Sequence, residues 1–91
     1  MPINVYIPTA LRQYVENAPE LSLGAATVRA ALEEIERTHP ALYPSICDET
    51  GAVRRHLNLF VNSSHIRDLD GLDTPLAHGD VLSVMIAVSG G

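Results

Sequence analysis

One segment of this 91-residue sequence has the apolar spacing of a helix, and this segment limits the folds available to the chain. Its apolar residues recur at i, i+3, i+4 and i+7, which places them on one face of a helix. These residues are Val28, Ala31, Leu32 and Ile35. Thr27 suits the N-cap position, and Pro40 requires the helix to end near His39. Residues 41–47 are predicted to add a short second helical turn.

Most of the remaining apolar residues alternate with polar ones, as they do in half-buried strands. The predicted strands cover residues 3–7, 21–23, 56–62 and 82–88, and a short return strand begins at Ile66. Residues 11–19 are predicted to form a turn region between the first two strands.

This order of elements predicts an α+β protein with the β-grasp, or ubiquitin-like, fold. In that fold one main helix packs across one face of a mixed sheet, here of four to five strands. A ferredoxin-like sandwich is the rival arrangement, and it needs a second full helix between the later strands. Residues 68–80 are too rich in Gly, Pro and Asp to supply that helix, so we interpret them as a structured loop. We expect residues 1–88 to form the β-grasp domain and residues 89–91 to form a flexible C-terminal tail.

The formal net charge is −5, and all six basic residues are arginines. Nucleic-acid binding needs a basic face, so the charge argues against it and favours basic protein surfaces as partners. Because the chain has no lysine, it offers no side-chain amine for conjugation to itself. No segment resembles a signal peptide or approaches the roughly 20 apolar residues of a membrane helix. We therefore expect a cytoplasmic protein that has neither nucleic acid nor membrane as a partner.

The sequence offers little of the usual chemistry of an enzyme or of a metal site. Its histidines are scattered, with no His-x-x-x-His pair and no cysteine nearby, so surface positions are favoured over a metal site. They are His39, His56, His65 and His78. We expect no bound metal and no catalytic residue in this chain.

Cys47 and an Asp-rich segment each have a functional and a structural interpretation. A lone thiol near a helix end is a candidate nucleophile, but it is more often a packing residue. Asp68, Asp70 and Asp73 offer carboxylates for calcium, but they lack the spacing and the terminal Glu of a calcium loop. We favour the structural interpretation of both, a packed thiol and a solvated turn.

The last residues, Ser89, Gly90 and Gly91, carry the most specific chemical suggestion. Two glycines destabilise the end of a strand and pack against nothing. Without a Cβ, however, they fit a narrow tunnel. Three extended residues reach roughly 10 Å, so they would present a free carboxylate to the active site of another protein. A frayed or trimmed end without function is the alternative on the tail alone.

Several short motifs occur in the order and spacing of a known family. They are Val5-Tyr6-Ile7-Pro8 with Leu11-Arg12, Phe60-Val61-Asn62, Ile66-Arg67, Gly71-Leu72 with Thr74-Pro75-Leu76, Gly79-Asp80 and Gly90-Gly91. Together they resemble the MoaD/ThiS family of prokaryotic sulfur carriers over nearly the whole chain. The sequence departs from the family pattern at Ser89, where members often carry Ala, and at Met85-Ile86, where many have a proline.

The resemblance implies that Gly91 is the working residue and that Ser89 and Gly90 carry it. In the family, a partner adenylating enzyme of the ubiquitin-activating type uses ATP and Mg to convert the terminal carboxylate to an acyl adenylate. Sulfur then replaces AMP, and the resulting thiocarboxylate donates sulfur to a biosynthetic enzyme. The carrier itself binds no cofactor.

The length, the turn at residues 48–51 and the pair Arg54-Arg55 resemble the longer carriers that feed cysteine biosynthesis. Their acceptor is a cysteine-synthase-like enzyme. The small subunit of molybdopterin synthase is the second most similar subfamily, and its acceptor is the large subunit of that enzyme. The shorter thiamine carriers, whose acceptor is thiazole synthase, fit less well. Two other classes stay open: a ubiquitin-like modifier joined through Gly91 to lysines of target proteins, and a binding subunit with an inert tail.

A docking surface is predicted on the side of the sheet that faces away from the helix. Alternate strand residues should face the helix, namely Ile3, Val5, Ile7, Leu57, Leu59, Val61, Leu82, Val84 and Ile86. The opposite side then carries Tyr6, Phe60, Met85 and Ala87, with Phe60 and Met85 at the centre. An apolar patch on an open sheet face usually marks a partner site. Coverage by loops or termini is the alternative.

Overall fold

A mixed five-stranded sheet with one main helix against it forms the framework of the protein, as seen in a computed structural model that describes residues 2–87. The strands are β1 (Pro2–Tyr6), β2 (Glu20–Gly24), β3 (Leu57–Val61), β4 (Ser64–His65) and β5 (Val81–Ile86), and the helices are α1 (Val28–Thr38) and α2 (Tyr43–Ile46). This is the predicted β-grasp arrangement. Val88 and the predicted tail, residues 89–91, lie outside the described residues, so the predicted domain boundary stays a prediction.

The first and last strands lie side by side in the middle of the sheet. The strand order is β2-β1-β5-β3-β4. The β1–β5 pair is parallel, with Val5 opposite Leu82, and the other pairs are antiparallel. Parallel strands need a crossover connection, which here includes α1. As a result β5, the last strand of the chain, has a neighbour on each side.

Helix α1 begins and ends where the sequence predicts. The Thr27 hydroxyl accepts a hydrogen bond from the amide of Ala30 at 3.1 Å, which confirms the N-cap. The four residues of the apolar stripe are all buried. The loop before β5 reinforces the helix start, because the Val28 amide donates to the carbonyl of Thr74 at 3.0 Å. Thr74 is itself buried, and its hydroxyl donates to the carbonyl of Gly71 at 2.7 Å.

The core lies between α1 and the inner face of the sheet, and eight of the nine predicted core-facing strand residues are buried. The ninth, Ile86, pairs with core-side Leu57 but is 37% exposed, so it is not part of the buried core. The pairing of β1 with β5 stops at Ser83, and β3 begins opposite Ile86. Ile86 therefore lies at a corner of the sheet with no strand on one side.

Two local predictions also need correction. The turn predicted for residues 11–19 contains a 3₁₀ helix, Thr9–Val15, which buries Val15. The short return strand is Ser64–His65 and ends before Ile66, whose buried side chain opens a 3₁₀ turn instead. The segment 68–80 holds only one short 3₁₀ turn, Gly71–Asp73, so the loop prediction there is confirmed.

Asn62 joins the end of β3 to the start of β5. Its backbone is left-handed, with φ 55°. Its backbone amide donates to the carbonyl of Val81 at 2.7 Å, and its side-chain oxygen accepts from the Val81 amide at 3.1 Å. Its side-chain amide donates to Asp80 Oδ1 at 3.2 Å. One residue therefore fixes both the turn after β3 and the entry into β5.

Replacing Asn62 tests this link, and Asn17 provides a matched control. Asn17 also has a left-handed backbone, with φ 64°, but makes no side-chain hydrogen bond within residues 2–87. We expect Asn62→Ala to lower the free energy of unfolding by about 1–2 kcal/mol more than Asn17→Ala, because two side-chain hydrogen bonds are lost. Urea denaturation of both variants measures the difference, and equal losses would contradict the role assigned to Asn62.

Asp80 also makes the fold sensitive to acid. The Ala77 amide, and then the Asn62 side chain, hold the pKa of Asp80 below its ordinary value of 3.8 by donating to the carboxylate. The hydroxyl and amide of Thr50 lower the pKa of Asp48 in the same way. Since both pKa values are lower in the folded state, this stabilisation is complete above the unfolded pKa and is lost as the pH falls through the folded pKa.

We expect the melting temperature to fall as the pH is lowered from about 5 to about 2, and to fall less steeply in Asp80→Asn. The control is Glu49→Gln, which removes a carboxylate that accepts no hydrogen bond among the described residues. Thermal unfolding followed by circular dichroism across this range measures the slope. An unchanged slope in Asp80→Asn would show that Asp80 does not contribute.

Candidate functional site

The outer face of the sheet, on the side away from α1, presents one row of side chains across four strands. The register places Tyr6 and Phe60 opposite Ser83, one on each side of it. His65 lies opposite Phe60 on the next strand. The row therefore runs Tyr6, Ser83, Phe60, His65. The register places the predicted residues Tyr6 and Phe60 in this row, and sequence reasoning missed two of its members, Ser83 and His65.

Phe60 and Met85 come together on this face. Met85 lies opposite Asn58, two residues along β3 from Phe60, and so is a diagonal neighbour of the phenyl ring. The two side chains line a shallow cavity of about 310 Å³ together with Asn62, Ser63 and Ser83. Met85 is 43% exposed, and neither a loop nor a helix covers it within residues 2–87. We call Phe60, Ser83 and Met85 the outer patch.

Tyr6 lies in the same row but outside the cavity. Ser83 separates it from Phe60, and the Arg12 guanidinium lies 5.6 Å from the centre of the Tyr6 ring. Arg12 is held there because its Nε donates to the carbonyl of Ile7 at 2.9 Å. Tyr6 is therefore half-buried under a cation, and it lies at the periphery of the outer patch.

His65 supports the other side of Phe60. The two rings meet edge to face, with centroids 5.0 Å apart and an interplanar angle of 62°. The Nδ1 atom of His65 accepts from the Arg67 amide at 3.1 Å, so the ring proton is on Nε2 and is donated to Asn58 Oδ1 at 3.0 Å. The two hydrogen bonds fix the ring plane, which in turn limits the rotation of Phe60. The turn at residues 62–64 could have predicted the position of His65 from the sequence, since this turn sets the register of the hairpin.

The end of β5 positions the start of the tail. The Ala87 amide donates to the carbonyl of His56 at 2.7 Å, which extends the ladder one residue beyond the strand. Ala87 is exposed and has the same strand parity as Met85. The structure thus places Met85 and Ala87 together at one end of the outer face. Ser89, Gly90 and Gly91 lie outside the described residues.

The other chemically interesting residues have structural roles. Cys47 is buried, and burial raises the pKa of its thiol, so the packing interpretation of this residue is supported. Within residues 2–87 no three His, Cys, Asp or Glu side chains come close enough together to bind a metal ion. In the same range no helix has the length and apolar character needed to cross a membrane.

Comparison with known proteins agrees with this geometry. Sulfur carrier protein CysO of Mycobacterium tuberculosis is 30% identical over 93 aligned positions that cover all of both chains. A chain in the crystal structure of the BexX/CysO complex of Amycolatopsis orientalis superposes with a TM-score of 0.87 at 29% identity, covering 98% of this chain and 99% of that one. Small archaeal modifier protein 3 of Haloferax volcanii is 35% identical over 66 residues, which are 72% of this chain and 71% of that protein.

The family profile gives the same assignment as the relatives. The ThiS family profile matches residues 5–91, which include β3, β4, β5 and the terminal Gly-Gly. The match covers more than nine-tenths of the sequence, and the resemblance noted in the sequence is confirmed. The chain belongs to the ThiS family.

Proposed function

We propose that this chain is a sulfur carrier whose Gly91 carboxylate is adenylated and then converted to a thiocarboxylate. The observation that carries the proposal is the similarity along the whole chain to a protein named as a sulfur carrier, together with the terminal Gly-Gly. The sulfur would go to a biosynthetic enzyme. Cysteine biosynthesis is favoured because the full-length relatives are CysO proteins, and molybdopterin synthesis comes second.

The chemistry needs no acid, base or metal from this chain. A carboxylate is a poor electrophile, and adenylation converts it to an acyl adenylate with AMP as leaving group. The sulfur nucleophile then attacks the Gly91 carbonyl carbon, so a C–S bond forms and the C–O bond to AMP breaks. ATP and Mg belong to the activating enzyme. The carrier is therefore a protein substrate rather than an enzyme.

The position of the outer patch fits delivery of the tail to a partner. Four residues follow Ala87, and a fully extended chain of that length spans at most about 14 Å. An active site that reaches Gly91 must therefore come close to the end of β5. Met85 lies two residues before Ala87, so the partner would meet the outer patch as it receives the tail. Phe60 and Met85 are the proposed centre of docking, and Tyr6 and Ala87 are its periphery.

The proposed partners are an adenylating enzyme of the ubiquitin-activating type and an acceptor synthase. The acceptor would be a cysteine-synthase-like enzyme or, as the second choice, the large subunit of molybdopterin synthase. The BexX/CysO complex supports the idea that a carrier of this shape docks on another protein. Conjugation through Gly91 to lysines of target proteins is the alternative, favoured by the similarity to an archaeal modifier protein. A ladder of conjugates on blots against this protein would distinguish the two.

The role of Gly91 is tested by intact mass. Incubation with ATP, magnesium, a sulfide source and the activating enzyme from the same cell should exchange one oxygen for one sulfur. We expect no gain when Gly91 is deleted and a normal gain in Ser89→Ala, which restores the residue that relatives often carry. A mass gain that survives deletion of Gly91 would contradict the proposal. So would the absence of any gain with an activating enzyme shown to work on another carrier.

The role of the outer patch is tested by Phe60→Ala. Truncation of a central aromatic anchor costs about 1–3 kcal/mol of binding, so we expect roughly tenfold or greater loss of kcat/KM in ATP–pyrophosphate exchange by the activating enzyme. Tyr14→Ala is the matched control, because Tyr14 is an exposed aromatic residue on the 3₁₀ helix outside the patch. Unchanged exchange with Phe60→Ala, or an equal loss with Tyr14→Ala, would show that docking uses another surface.

A further inference from the structure

A second cavity lies on the side of the sheet opposite the outer patch. It is open and has a volume of about 360 Å³. Its apolar lining includes Val53, Leu57, Leu59, Ile66 and Leu72, and His65 also lines it. Leu57 and Leu59 point to the core side of β3, whereas Phe60 between them points to the outer patch. We call this the inner cavity.

The inner cavity is rimmed by positive charge. Arg54, Arg55 and Arg67 line it, and no Asp or Glu does. The chain has six basic and eleven acidic residues, so half of its arginines gather at a site that lacks carboxylates. The charged side chains that line the inner cavity are therefore all positive, whereas the net charge of the protein is negative.

Two of these arginines have no structural role among the described residues. Arg54 is partly used, since its Nε donates to the carbonyl of Pro44 and it lies near Asp48. Arg55 and Arg67 are exposed, and within residues 2–87 their guanidinium groups make neither an ion pair nor a hydrogen bond. Arginines elsewhere are paired, as Arg29 is with Asp73. The guanidinium groups of Arg55 and Arg67 are therefore available as hydrogen-bond donors beside the apolar lining of the inner cavity.

We propose that the inner cavity is a docking site for an acidic peptide segment of a partner protein, anchored by an apolar side chain between carboxylates. The leucine and isoleucine floor would bury the anchor, and a volume of about 360 Å³ has room for a large side chain. The guanidinium forks of Arg55 and Arg67 would bind the flanking carboxylates. The acidic remainder of the surface repels such a peptide, which confines it to this site.

The proposal does not rest on sulfur transfer. The inner cavity and the outer patch lie on opposite sides of β3, although His65 lines the inner cavity and also contacts Phe60 of the outer patch. The inner cavity would then hold a second protein while the activating enzyme or the acceptor engages the outer patch and the tail. Failure of either proposal would leave the other intact.

The test is an NMR titration of the ¹⁵N-labelled full chain with a capped hexapeptide, DELLED in one-letter code. We expect shifts at the amides of Val53, Leu57 and Leu72, and weaker binding at high salt. The neutral peptide NQLLQN and the anchorless peptide DEGGED should each bind at least about fivefold more weakly, because one lacks the charge and the other lacks the apolar contact. No shift at these amides, or equal binding of either analogue, would overturn the proposal.

Charge variants complete the test. Replacing Arg55 and Arg67 by Gln together should weaken DELLED binding roughly five- to tenfold, since two exposed charge pairs are lost. Replacing Arg29 and Arg37 by Gln together removes the same net charge at another place and should have little effect on DELLED binding. An equal loss in the control pair would show non-specific attraction and overturn the proposal. If a titration with octanoate shifts these amide signals and a titration with DELLED does not, the proposal is overturned and the cavity is assigned to small amphiphilic anions.

Discussion

The parallel pairing of the first and last strands is the constraint on which the rest of the structure depends. Because β1 and β5 lie side by side and run in the same direction, the chain between them must cross the sheet, and α1 lies on that crossover. The apolar stripe of α1 then has one place to be buried, the inner face of the same sheet. The pairing also puts the last strand next to β3, and that contact creates the outer patch.

The two faces of β3 show how one strand serves two surfaces. Leu57, Leu59 and Val61 close the core, while Asn58 and Phe60 face outward. Around the inward residues the loops 52–55 and 66–72 leave an opening edged by arginine. On the outward side Phe60 and Met85 line a shallow cavity with Asn62, Ser63 and Ser83, and none of these residues is charged. Because alternate residues of β3 point to opposite sides of the sheet, the arginine-lined inner cavity and the uncharged outer patch lie on its two faces.

The spacing of apolar residues along the chain, and their alternation within the strands, predicted much of the fold and part of the candidate site. The spacing in α1 and the alternation in β3 and β5 identified the elements and their buried faces, because those patterns are local. The exposure of Ile86 depends on where β1 stops, and the place of Ser83 and His65 depends on strand register. Neither the end of β1 nor the strand register can be predicted from the spacing of residues within one segment. The inner cavity joins residues from three separate segments, so only the folded chain shows it. The role of Gly91 is proposed from the sequence and its relatives.

The bond between Ala87 and His56 has a mechanical consequence. A force applied to Ala87 along the axis of β5 acts on the whole strand. The hydrogen bonds of β5 to β1 and β3 lie across that axis, so they bear the load together in shear rather than opening one after another. The domain is therefore expected to resist unravelling when its C-terminal strand is pulled along its axis.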